Sequence, residues 1–289
     1  MSTLDACAAT PFRRSKAGRF IKRNPMLVLG ILLLAIILMS AIFAPWLVGD
    51  PYAMMPSRRL LPAGPGYPLG TDPLGRDVFA RTIYGARVSL TVGICVAAIS
   101  VLIGLTLGLI AGYLRRANAP LMRIMDALMS IPAIMLAIAL VALTQASVVT
   151  VIAAIAIPEI PRVVRLVRAV VLSVREQPFV QAAIAGGART PRVIIRHIMP
   201  STIAPLIVQA SYICASAILI EAALSFLGAG TPPSIPTWGN MIASNRLYLA
   251  KAPWTIFGPG LELALTVLAI NLIGDGLRDH LDPRLSRRM

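Results

Sequence analysis

The side chains able to do chemistry are few. Glu221 and Glu262 lie inside long apolar runs. A carboxylate at bilayer depth costs about 2.5–3.5 kcal/mol on insertion scales, so each must face a bundle interior, a partner subunit or water. Two kinds of role fit: a negative patch in a transport pathway that meets a cationic end of a cargo, or a structural place, either hydrogen-bonded to a partner helix or loop or snorkelling near the interface. His197 and His280 are the only histidines. Both sit among arginines without the convergent ligands that a metal site needs. No Ser/His/Asp or Cys/His arrangement stands out. The only lysines are Lys16, Lys22 and Lys251, and none follows a glycine, so the Gly-Lys-Ser/Thr of a P-loop is absent. Cys7, Cys95 and Cys214 have no CxxC spacing and read as packing residues or free thiols.

The elements that carry these residues follow from composition. Of 289 residues, 57% are hydrophobic and 13% charged, with a mean hydropathy of +0.79. A soluble domain has about a quarter of its residues charged. An ordinary soluble enzyme, a disordered chain and a disulfide-stapled module are excluded, and an all-α integral membrane protein is indicated. Six apolar stretches are long enough to span: Met26–Val48, Val88–Leu114, one from Leu121, one from Val148 to about Ser173, Thr202–Leu227 and Trp254–Ile273. The polar break Thr144–Ser147 predicts a hairpin between the third and fourth. The first stretch is too long for a signal-peptide core and reads as an uncleaved span.

With both termini inside, the inner pieces hold 20 of the 27 Lys and Arg residues, so the positive-inside rule places the termini in the cytoplasm. The net charge of +15 then reflects topology and contact with anionic lipid headgroups rather than nucleic acid. The predicted organisation is a basic arm over residues 1–25, a six-helix domain over 26–273 and a cytoplasmic tail over 274–289.

Gly104, Gly108 and Gly112 recur every four residues on one helix face, which predicts close helix packing, with part of a pathway wall as the alternative. Asp72, Arg76, Asp77 and Arg81 precede the second span, either as a contact for an outside partner or as a local ion-pair network. The inner loop over 174–200 is the most punctuated segment. Pro178 suits a first helical position. Gly186-Gly187 suits a left-handed helix end. Thr190-Pro191 reads as an N-cap followed by a first helical residue, and Pro200 as the next bend. Two short helices joined by a glycine turn are predicted there.

That loop resembles the cytoplasmic loop of binding-protein-dependent ABC importer permeases, with Gln181-Ala182-Ala183 in place of Glu-Ala-Ala, Gly187 at the glycine position and Met199-Pro200 in place of Leu-Pro. Leu69–Val78, Tyr84–Leu90, Glu221–Gly228, Thr237–Met241 and Asn271–Asp279 resemble the C-type transmembrane subunit of the dipeptide/oligopeptide branch. Together they cover roughly residues 20–285.

The resemblance implies the type I ABC importer permease fold and a multi-pass subunit of the bacterial inner membrane. It implies no cofactor on this chain, and ATP and Mg on partner ATPase subunits. The implied partners are a second homologous permease, two cytoplasmic ATPase domains and an extracytoplasmic peptide-binding protein. The loop becomes an ATPase-coupling element: Ala182 and Ala183 allow close approach, Gly187 sets the turn, Gln181 keeps the hydrogen bonding of the family's Glu without its charge, and Arg196 or His197 makes polar contacts. The alternative is that these residues pack the loop on its own spans. The rival functions are the same machine carrying nickel or glutathione and, from another class, an ion-gradient transporter working alone. A membrane-embedded enzyme lacks a catalytic cluster.

Overall fold

The computed structural model describes residues 24–281. The basic arm through Arg23, with Cys7, and the last residues of the tail lie outside the described residues. Among those described, the regular elements are helices, joined by loops that contain only isolated bridges.

Helix α1 (Pro25–Ile42) opens on a proline and stops at Phe43, short of the expected Val48; a single turn, Ala44–Leu47, follows. Helix α2 (Val78–Tyr113) begins well before the expected Val88. Asp77 caps it by accepting the Phe79 N–H at 2.8 Å. Its 36 residues extend about 54 Å, far beyond a hydrocarbon core of about 30 Å. Arg81 and Arg87 made this first stretch look like loop. Arg81 is instead buried, donating to the Pro51 carbonyl at 3.1 Å.

The expected third span is a bent pair. Helices α3 (Arg115–Met129) and α4 (Ala133–Ala142) meet at 83°. Pro132 lies at the break and disfavours helical geometry in the residue before it. Helix α4, at about 15 Å, is half the thickness of the core. The Thr144–Ser147 break falls where expected, and Ser147 and Thr150 form a capping box that starts α5 (Val148–Arg175).

Helices α6 (Pro178–Ala185) and α7 (Thr190–Val193) form the predicted hairpin, with one correction: the residue ahead of α7 is Arg189, and Thr190 makes no capping bond. The bend expected at Pro200 does not occur. A π-turn at Ile194–Ile198 carries α7 directly into α8 (Met199–Phe226), with the Met199 N–H reaching back to the Ile194 carbonyl. A proline lacks an N–H and clashes with the carbonyl four residues before it. The wider turn makes room for that clash without breaking the helix. Helix α9 (Trp238–Asn245) and helix α10 (Trp254–Leu281) complete the chain, α10 running through the first part of the expected tail.

Four helices, α1, α2, α7–α8 and α10, are long and apolar enough to cross a membrane, or five if α3 and α4 count as one span. Helix α5 is long enough but carries Glu159, Arg162, Arg165 and Arg168, so it does not count among them by composition.

The core is built on one seam. Helix α2 lies along α5 in the same direction, Gly104 against Val163, Gly108 against Val167 and Gly112 against Val171. All three valines are fully buried. A glycine ridge with a period of four meets a valine ridge with the same period, so the backbones approach closely. Helix α10 packs antiparallel to α1, with Gly276 against Leu27 and Gly30 against Leu272. The start of α1 and the end of α10 therefore lie at the same end of the bundle.

Candidate functional site

The hairpin α6–α7 is held by its own backbone. Gly187 takes φ +80°. The Gly187 N–H bonds the Ile184 carbonyl at 3.0 Å and the Ala188 N–H bonds the Ala183 carbonyl at 3.1 Å, a Schellman end. The Gln181 side chain donates to the Arg175 carbonyl at 3.0 Å, tying α6 to the end of α5. Only Val180 of α6 is buried. Phe179 is 51% and Ile184 41% exposed, Ala182 and Gly187 are open, and Ala183 is half-buried. The helix thus presents small and apolar residues outward instead of burying them on the bundle. Arg196 is exposed and His197 half-buried, and neither side chain hydrogen-bonds a described residue.

At the far end of the bundle, two loops are fastened down. Asp72 pairs with Arg76 at 2.6 Å, both nearly buried, and its other oxygen accepts the Leu74 and Arg76 N–H groups. Of Asp72, Arg76, Asp77 and Arg81, the first two form an ion pair, whereas Asp77 caps α2 and Arg81 bonds a backbone carbonyl. Burial pushes the Asp77 carboxyl up from its ordinary value, against the N–H groups of Ala80 and Phe79. Trp238 donates from its ring nitrogen to the Thr82 carbonyl at 3.1 Å, and Trp254 to the Thr71 carbonyl at 3.3 Å.

Glu221 is the anchor of the second loop. It is fully buried, and its Oε1 accepts from Ser225 and Thr237 at 2.9 Å and from Thr231 at 3.4 Å. The Asn240 amide closes the same loop on the Thr231, Pro232 and Ile235 carbonyls. Those bonds tie α8 to the loop through one oxygen, while the Glu221 Oε2, equally buried, has no hydrogen-bond partner among the described residues. Glu221→Ala should leave three buried hydroxyls without their acceptor and cost about 1–3 kcal/mol, read as a lowered melting temperature of the purified protein. Glu262 is half-buried in α10, beside the Trp238 indole.

A further acid escaped the sequence reading. Glu159 stands where the uncharged stretch gives way to the arginines of α5, and so looked like the start of a cytoplasmic segment. It is instead near the middle of α5, with its side chain 1% exposed. The Arg162 Nη1 donates to its Oε1 at 2.7 Å. The pair lines a cavity of about 250 Å³ that also involves Gln209, Tyr212, Ser216 and Asn271. A second cavity of about 550 Å³ shares Gln209 and Tyr212 and continues toward Arg278 and Leu281. The i, i+3 spacing of Glu159 and Arg162 after Pro158 was the available signal.

Comparison with known proteins agrees with this picture. Residues 104–287 match the model of the binding-protein-dependent transport system inner membrane component family. Residues 13–63 match the N-terminal transmembrane domain of oligopeptide transport permease C. The chain is 58% identical to the probable peptide ABC transporter permease protein y4tQ of Sinorhizobium fredii, covering 100% of this chain and 99% of that one. It is 43% identical to the dipeptide transport system permease protein DppC of Alkalihalophilus pseudofirmus (96% and 91% covered). It is 44% identical to the di/tripeptide transport system permease protein DppC of Pseudomonas aeruginosa (89% and 87% covered).

Proposed function

We propose, since this chain belongs to the family of inner membrane components of binding-protein-dependent transport systems, that it is the transmembrane subunit of an ATP-driven importer of short peptides. The observation that carries this reading is the 58% identity, over the whole chain, to a protein named as a peptide transporter permease. The relatives compared above are all named for peptides, which favours peptide over nickel or glutathione as cargo. An ion-gradient transporter working alone does not fit a family whose members belong to binding-protein-dependent systems.

In this reading α6 docks on a cytoplasmic ATPase subunit, and the exposed Phe179, Ala182 and Ile184 form the contact. Closure of two ATPase domains around ATP and Mg pushes α6. The push reaches α5 through the Gln181–Arg175 bond and α8 through the unbroken α7–α8 helix. The rigid seam between α2 and α5 then moves as a body, opening one end of the bundle and closing the other. Arg196 and His197, within the π-turn, supply polar contacts beside the docking helix.

The end of the bundle holding α6, the start of α1 and the end of α10 lies in the cytoplasm. The excess of Lys and Arg there and the meeting of α1 with α10 support this orientation. Counting α3–α4 as one span and α5 as another gives six crossings. The opposite end, with the Asp72 and Glu221 loops, faces the peptide-binding protein. A second, related permease completes the pathway.

Reconstitution tests the reading. This chain alone in liposomes should accumulate no dipeptide with or without ATP, and uptake should begin only when the second permease, the ATPase subunits and the loaded binding protein are present. Uptake by the chain alone, or driven by an ion gradient, overturns it.

A further inference from the structure

The two cavities on α8 share Gln209 and Tyr212 and are one groove, bounded by α5 and α10. Its polar residues cluster toward the middle of the three helices, and its wider part runs to the end of α10 at Leu281. Glu159 is close to mid-length in α5, Gln209 to Ser216 span the centre of α8, and Asn271 is in the second half of α10. Its lining is mostly apolar, with Glu159, Arg162, Gln209, Ser216 and Asn271 set into it at a depth where polar groups are costly unless they meet one another, water or a ligand. The Gln209 and Asn271 amides, both half-buried, make no side-chain hydrogen bond to a described residue.

The ion pair in the groove is lopsided. Glu159 is almost wholly buried, yet only its Oε1 is used, and its Oε2 has no partner. A buried carboxylate oxygen without a donor is expensive, and a cationic donor satisfies it best. The Arg162 side chain is 50% exposed and commits one N–H to the pair, which leaves the rest of its fork for an acceptor. The site thus holds one buried, unpaired anionic oxygen and one partly free guanidinium three residues apart on a single helix. That combination complements a zwitterion.

We propose that this groove is the chain's peptide-contacting wall, in which the free Oε2 of Glu159 receives the amino-terminal ammonium of a passing peptide while Arg162 meets a carbonyl or carboxylate oxygen of the same molecule. The inference rests on the peptide-importer reading above and assigns a place within it. Neither Glu221 nor Glu262 lines the groove; Glu159 is the acid among its lining residues, with the exposed Asp275 accepting from Tyr212 at its edge.

The test uses the whole importer in vesicles, with a dipeptide delivered on saturating binding protein so that capture outside the membrane is not limiting. Glu159→Gln keeps the shape and the Arg162 hydrogen bond but removes the charge. Loss of a charge-assisted hydrogen bond should slow uptake about tenfold or more, with the variant still co-purifying with the second permease and the ATPase subunits. Wild-type uptake by Glu159→Gln overturns the proposal. So does loss of the second permease on purification, which would make the groove a subunit interface.

Ser216→Phe places a large side chain in the groove from α8 while keeping both members of the ion pair. It should also abolish uptake in an assembled complex, and normal uptake there contradicts the proposal. A wild-type complex that moves no peptide fails the peptide-importer reading itself, which separates the two.

Discussion

Gly108→Leu should prevent this bundle from forming. A β-carbon at Gly108 would lie 2.6 Å from the Val167 β-carbon and 3.0 Å from the Val164 carbonyl, distances that no rotamer change can relieve. Helices α2 and α5 would have to separate along the seam that holds the core. Overpacking a close contact costs about 3 kcal/mol, and here the clash involves backbone, so the loss should reach or exceed that figure. The expected readout is little or no folded protein extracted from membranes.

The partner ridge gives a control. Gly108→Ala combined with Val167→Gly should cost less than the sum of the two single changes, because the second change removes the β- and γ-carbons that the first one strikes. Such coupling between neighbours is what a double-mutant cycle measures. Additive effects would mean that the two ridges do not bear on each other.

Ala182→Trp should have the second large effect, and of the opposite kind. Ala182 is exposed on α6 beside Phe179, so a larger side chain there should leave folding within about 0.5 kcal/mol of normal. Coupling should fail, because an indole at the centre of a docking contact blocks close approach. Hot-spot losses of about 2 kcal/mol or more are typical of such positions, equivalent to roughly 30-fold in ATP-driven uptake. A melting temperature close to wild type together with collapsed uptake separates a docking role from a folding one.

These two predictions rest on features with different visibility in the sequence. The glycine period was legible because three identical small residues on one face have few structural explanations. The valines that they meet were not, since nothing in Val163, Val167 and Val171 says which helix they face. The hairpin was legible because proline and glycine fix backbone geometry locally. Its continuation was not: Pro200 looked like a stop, and the π-turn that absorbs it has no residue signature. The early start of α2 was hidden for a related reason. Arg81 carries a charge that reads as solvent-exposed until the Pro51 carbonyl is placed beside it.

The acids show the same division. Glu221 was conspicuous because it stands alone in an apolar run, and it proved to be the anchor of a loop. Glu159 was inconspicuous because it borders a run of arginines, yet it lines the groove. Charge against background hydropathy signals burial, whereas a role depends on which tertiary neighbours surround the acid. That last fact is set by three helices distant in sequence.

The most direct test of the account is a crosslink from α6. With Cys7, Cys95 and Cys214 replaced by serine and a single cysteine placed at Ala182, a short thiol-reactive crosslinker applied to the assembled importer should capture an ATPase subunit, and capture should stop uptake. If the cysteine reaches no ATPase subunit while the same preparation pumps peptide at the normal rate, α6 is not where the push enters, and the coupling mechanism is wrong.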